Sequence, residues 1–95
     1  MPVVSLVVEL HPADAHALTA RQKKNRADEI LTKLRRHFNI AVADVSRVAP
    51  GDPIALGFAA VGRTRREARE ILDRVADAVS SHPRVEIVRI AFDDL

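Results

Sequence analysis

The residue pattern predicts an α+β fold in the order β-α-β-β-α-β, and three observations carry it. Four runs rich in Val, Ile, Leu and Ala repeat with a period of two. Two segments place apolar residues at helical spacing, each behind a Thr-x-x-Gln or Thr-x-x-Glu signature. Pro50-Gly51-Asp52-Pro53 separates the second and third runs as a turn.

Val3 to Leu10 is the first strand, with Leu6, Val8 and Leu10 on one face and Ser5, Val7 and Glu9 on the other. A loop carrying Pro12 and Asp14 follows. Thr19-Ala20-Arg21-Gln22 is a capping box: the Thr hydroxyl accepts from a helix N–H and Gln22 reaches back to the cap. The helix it opens runs to about Phe38, because Ala27, Ile30, Leu31, Leu34 and Phe38 fall on one stripe. Ile40 to Val45 returns to a period of two, and Ile54 to Val61 forms a hairpin with it. Thr64-Arg65-Arg66-Glu67 is a second capping box. Its helix runs to about Ser81, with Ala68, Ile71, Leu72, Val75 and Val79 inward, and His82-Pro83 stops it. Val85 to Phe92 is the last strand.

Two amphipathic helices, each between strands, have one economical home. Both lie on one face of a four-stranded antiparallel sheet, through two right-handed crossovers. The expectation is a ferredoxin-like βαββαβ sandwich spanning residues 1–95 as a single domain. At 95 residues the core is small, and with three Phe, no Tyr and no Trp it must be aliphatic.

Composition narrows the function. The chain has no cysteine, which excludes disulfides and thiolate chemistry and favours a reducing, cytoplasmic setting. The amino-terminal residues lack a basic segment ahead of an apolar run, so no signal peptide is expected, and no stretch is long enough to span a membrane. The serines, Ser5, Ser46, Ser80 and Ser81, lie in no Gly-x-Ser-x-Gly turn. Three glycines build no phosphate-binding loop. Asp93-Asp94 reads as a solvated acidic pair. The expectation is a protein that is not an enzyme and carries no cofactor.

One cluster could hold a metal: His11, Asp14 and His16, two imidazoles and a carboxylate in one loop. It lacks a fourth ligand, and the competing reading is a turn capped by Asp14 with solvated imidazoles. A metal-dependent enzyme built on it is the remotest alternative. His37 and His82 fall at helix C-termini, where a protonated imidazole suits the helix dipole.

The sheet face away from the helices carries Ser5, Val7, Ala41, Ala43, Ala55, Gly57 and Ala59. That face is small and apolar, which points to a homodimer, either sheet to sheet or strand edge to strand edge. A dimer of this kind could also frame a small-ligand or regulatory site. The same face lacks the aromatic residues on which RNA-recognition motifs stack bases, since Phe58 has the parity of the buried side.

Charge is distributed unevenly. Between Arg21 and His37 stand seven Lys or Arg against two acids, whereas the rest of the chain has eight basic residues and eleven acidic ones. Arg21, Lys24, Arg35 and Arg36 lie away from or beside the apolar stripe, and Lys23 and Arg26 flank it. Arg21, Lys23, Lys24, Arg35 and Arg36 are therefore the candidate phosphate contacts of an RNA- or ribosome-binding surface. The competing reading is a solvated, salt-bridged helix.

Val8-Glu9-Leu10-His11, His16, Lys23-Lys24, Leu34-Arg35-Arg36-His37-Phe38-Asn39, Ile40-Ala41-Val42-Ala43-Asp44-Val45 and Ile71-Leu72-Asp73-Arg74-Val75 occur in order along nearly the whole chain. In these motifs the chain resembles the YlxP-like proteins, small bacterial domains of unknown function. The resemblance implies a ferredoxin-like fold. It also implies a link to translation, because genes of such proteins often lie beside translation factors and ribosome-binding factor A. The chain departs from that pattern at Asp52-Pro53-Ile54-Ala55, where relatives carry Trp-Gln-Arg-Ala. The loop before the first helix is about two residues longer, and Ala17-Leu18-Thr19 replaces the usual Ser-Leu-Lys.

Overall fold

A computed structural model describes residues 1–14, 18–47 and 51–94. The elements are β1 (Val3–Pro12), α1 (Ala20–His37), β2 (Ala41–Asp44), β3 (Ile54–Val61), α2 (Arg65–Ser80) and β4 (Val85–Asp94). The four strands form one antiparallel sheet in the order β2-β3-β1-β4, the ferredoxin-like arrangement expected from the alternation of elements.

Parity along the strands decides which face is covered. Val4, Leu6, Val8 and Leu10 of β1 and Ile54, Leu56, Phe58 and Ala60 of β3 are buried, and they share one core with both helices. From α1 come Ala27, Ile30, Leu31 and Leu34; from α2 come Ala68, Leu72, Val75, Ala76 and Val79. Both helices therefore cover the same face. Leu6, Leu10, Leu56 and Leu72 are fully buried, each contributing roughly 2 kcal/mol by leaving water. Phe58 is inside, as its parity requires, so it is withdrawn from any base-stacking role.

α1 opens as its sequence predicts. Thr19 Oγ1 accepts from the Gln22 N–H at 3.2 Å, and Gln22 Oε1 accepts from the Thr19 N–H at 2.8 Å. The second box is only half formed. Thr64 Oγ1 accepts from the Glu67 N–H at 3.1 Å, but the Glu67 carboxylate turns to Arg63 at 3.5 Å. A charged partner one turn away outcompetes a neutral amide for that carboxylate.

Strand limits differ from the periodicity in three places. β1 continues through His11 and Pro12, because β4 keeps pairing there, His11 opposite Glu86 and Pro12 opposite Val85. Proline is tolerated because even-numbered β1 residues turn their main chain toward β3, which begins only opposite Leu10. β2 is shorter than expected, Ala41–Asp44, and β4 runs on to Asp94. Ala55, which has the parity of the open face, is 8% exposed. The segment after β2 lies alongside it: Val45 N–H donates to its carbonyl and Ser46 Oγ accepts from its N–H, both at 2.9 Å.

The helices divide the sheet between them. α1 packs on β2 and β3, and α2 packs on β1, β3 and β4. The basic helix thus lies toward the β2 edge, and β4 forms the opposite edge beside α2.

Candidate nucleic-acid interface

α1 is an 18-residue helix whose buried stripe turns Arg21, Lys24, Arg35 and Arg36 outward, all four exposed. Lys23 is different. Its position beside the stripe leaves it partly buried, and its ammonium donates to the Asp52 carbonyl at 3.4 Å. Arg26 is held too, its guanidinium facing both carboxylate oxygens of Asp14 at 3.5 and 3.4 Å. Of the five candidate residues, four are therefore without a partner among the described residues and one is tied into the fold.

α2 pairs a larger share of its cations than α1 does. On α2, Arg66 pairs with Glu70 and Arg69 with Asp73, each at 3.2 Å and one turn apart, and Arg63 just before it pairs with Glu67. Exposed pairs of this kind add only tenths of a kcal/mol, so their main effect is to neutralise the surface. On α1, among the described residues, Arg21, Lys24, Arg35 and Arg36 make no ion pair, and neither do its two acids, Asp28 and Glu29. Arg65 and Arg74 of α2 also make no ion pair among the described residues, and Arg26 of α1 does, so the two helices differ in degree.

Arg21 and Lys24 stand toward one end of α1 and Arg35 and Arg36 at the other, about 16 Å apart along the axis from Lys24 to Arg35 at 1.5 Å per residue, with Lys33 exposed before the second group. The group at the carboxyl end, Arg35 and Arg36, occupies the last turn, where positive charge favours the helix dipole. The group at the amino end has no such reason. No acid stands in the first turn of α1, and Arg21 sits where the dipole disfavours a cation.

The histidine and carboxylate loop is engaged differently. Asp14 faces Arg26, and its carboxyl is held below the ordinary value of 3.8, first by a hydrogen bond with its own backbone and further by Arg26 and Arg84. A cation ligated there would have to displace the arginine. His11 lies on β1 opposite Glu86, and His16 lies outside the described residues.

Sequence reading missed one concavity. The C-terminal ends of α1 and α2 splay, leaving a groove of about 460 Å³ lined by Leu34, Phe38 and Val79, with Lys33, His37 and His82 at its rim. His82 is oriented by its Nδ1, 2.9 Å from the Pro83 carbonyl. The histidines were legible as helix-end residues; that they share a groove needed the packing of two distant elements.

Among the described residues no helix is long and apolar enough to cross a membrane. No curated protein matches the chain. A family model described as a protein of unknown function (DUF503) matches residues 3–92.

Proposed function

The chain belongs to the DUF503 family of unknown function, and from the charge of its first helix we propose that it is a non-enzymatic, cytoplasmic RNA-binding module. The observation that carries this reading is the density of unpaired cations on α1: among the described residues Arg21, Lys24, Lys33, Arg35 and Arg36 make no ion pair, against Arg65 and Arg74 on α2. Arg21, Lys24, Arg35 and Arg36 supply phosphate contacts, with Lys23 holding the loop at Asp52. The likeness to YlxP-like proteins supports ribosomal RNA or ribosomal particles as the target. Recognition is of the backbone, because the open sheet offers no exposed aromatic for stacking.

Binding of a structured RNA measured against salt tests this. Four phosphate contacts give a slope of about −3 to −4 in log affinity against log salt. Arg21→Glu with Lys24→Glu is expected to cut that slope by half or more, and Arg35→Glu with Arg36→Glu likewise. Arg66→Glu, which removes a cation already spent on Glu70, leaves it unchanged. Equal losses from the α2 and α1 variants would reject the assignment.

A second reading rests on the groove between the helix ends. Its apolar walls and its rim of Lys33, His37 and His82 suit a small apolar carboxylate. Thermal stabilisation by such compounds, with no RNA retained by the protein, would favour this reading.

A further inference from the structure

β4 is a ten-residue strand with one side of its main chain unpaired among the described residues, and Val88 and Ile90 on it are 51% and 41% exposed. The pairing of β1 shows which groups are free. Gly62 N–H donates to the Pro2 carbonyl and Ala13 N–H donates to the Arg84 carbonyl, so even β1 residues bond toward β3 and odd ones toward β4. Arg89, Ala91 and Asp93, opposite Glu9, Val7 and Ser5, therefore turn their main chain inward to β1. Ile90, Phe92 and Asp94 turn theirs outward. The bulge at Val88, where Glu9 pairs with Arg89 but Leu10 with Ile87, ends this free stretch at its start.

Side chains select the partner. Arg89 and Asp93 stand on the open face, four residues apart and of opposite sign, with Ala91 between them. Only one antiparallel register of this strand against itself sets Arg89 of one copy across from Asp93 of the other. It puts the two-fold axis at Ala91. In that register Ile90 pairs with Phe92, both with outward main-chain groups, and Ala91 meets Ala91 where side chains approach closest.

We infer that β4 is the docking edge for a second copy of this chain, joining two sheets into one of eight strands through Ile90, Ala91 and Phe92, with Arg89 paired to Asp93 in both directions. This goes beyond the RNA reading and does not depend on it. α1 lies toward the far edge, so each copy keeps its basic helix clear of the junction. The bulge and the charges restrict pairing to this one partner, as edge strands commonly require.

The test is a charge swap followed by sedimentation velocity. The unmodified chain dimerises within the range up to about 1 mM. Arg89→Asp alone and Asp93→Arg alone each set like charges opposite one another, and each weakens the dimer about tenfold or more. Mixed one to one, the two variants regain complementarity and form a heterodimer of unmodified affinity. Ile90→Pro removes an outward N–H that the fold does not use, so it keeps the circular dichroism of the folded chain and is monomeric. A monomeric unmodified chain, single variants that dimerise normally, or a mixture that stays monomeric would each overturn the inference. RNA affinity of the monomeric Ile90→Pro chain separates its failure from that of the RNA reading.

Discussion

Arg69 lies over the ring of Phe92, its guanidinium carbon 3.5 Å from the ring centre, and so α2 closes the core on its β4 side. The same guanidinium reaches Asp73 at 3.2 Å. One arginine thus covers an aromatic ring that the aliphatic core leaves half-buried, and is itself held by the next turn of its helix. This cap lies on the helix side of β4, beside the edge offered to a second copy.

Arg69→Ala is expected to lower stability by about 1 kcal/mol, the sum of a partly exposed cation–π contact and a weak one-turn ion pair. Asp73→Ala should cost only tenths. Urea denaturation of the three proteins checks the order; equal losses would mean that the ring contact contributes nothing.

Replacing Thr19 by Ala removes a reciprocal cap, and replacing Thr64 by Ala removes a one-way cap. Each should cost about 1 kcal/mol. Gln22→Ala should add a further loss only at the first helix, whereas Glu67→Ala should mainly free Arg63. Thermal melting of the four variants measures this, and a Glu67 effect as large as that of Gln22 would contradict the half-formed second cap.

A methyl group at Gly62 would sit 2.7 Å from the Ala68 nitrogen and 2.9 Å from the Thr64 oxygen, both main-chain atoms at the start of α2. Gly62→Ala should therefore destabilise by about 1–3 kcal/mol. At Gly57 the added methyl is tight only against Val45 Cγ1, at 3.3 Å, with the Ala43 oxygen at an ordinary 3.6 Å, and Val45 is 48% exposed and free to turn. Gly57→Ala should stay within about 0.5 kcal/mol of the parent. Comparable losses at the two sites would show that the turn into α2 yields.

Asp14 titrates below the ordinary carboxylate value because its own backbone, then Arg26 and Arg84, favour the ionised form. A folded value below the unfolded one means that its contribution is complete above the ordinary range near 3.8 and is lost as pH falls through the depressed value. Arg26→Gln should move the titration part of the way upward, leaving the backbone contribution. Carbon-detected NMR of the Asp14 carboxyl follows it, and an unmoved midpoint would show that Arg26 does not act on it.

Much of this architecture was written locally. Thr19 with Gln22, the spacing of Ala27, Ile30, Leu31 and Leu34, and the alternation through Leu6, Val8 and Leu10 depend on neighbours within a turn or a strand, so the residues alone determined helix starts, buried faces and element order. The excess of cations in α1 was equally legible, being a count. What only the tertiary structure decided involves partners far apart in the chain. Pro12 belongs to a strand because Val85 lies opposite it, Lys23 is tied because Asp52 comes within reach, and His37 and His82 face one groove. Which cations are unpaired, as Arg21 and Lys24 are, and which are paired, as Arg66 and Arg69 are, was distinguishable only once side chains had positions. Periodicity reports which face a residue takes; what waits on that face depends on how distant elements pack, and no local pattern encodes it.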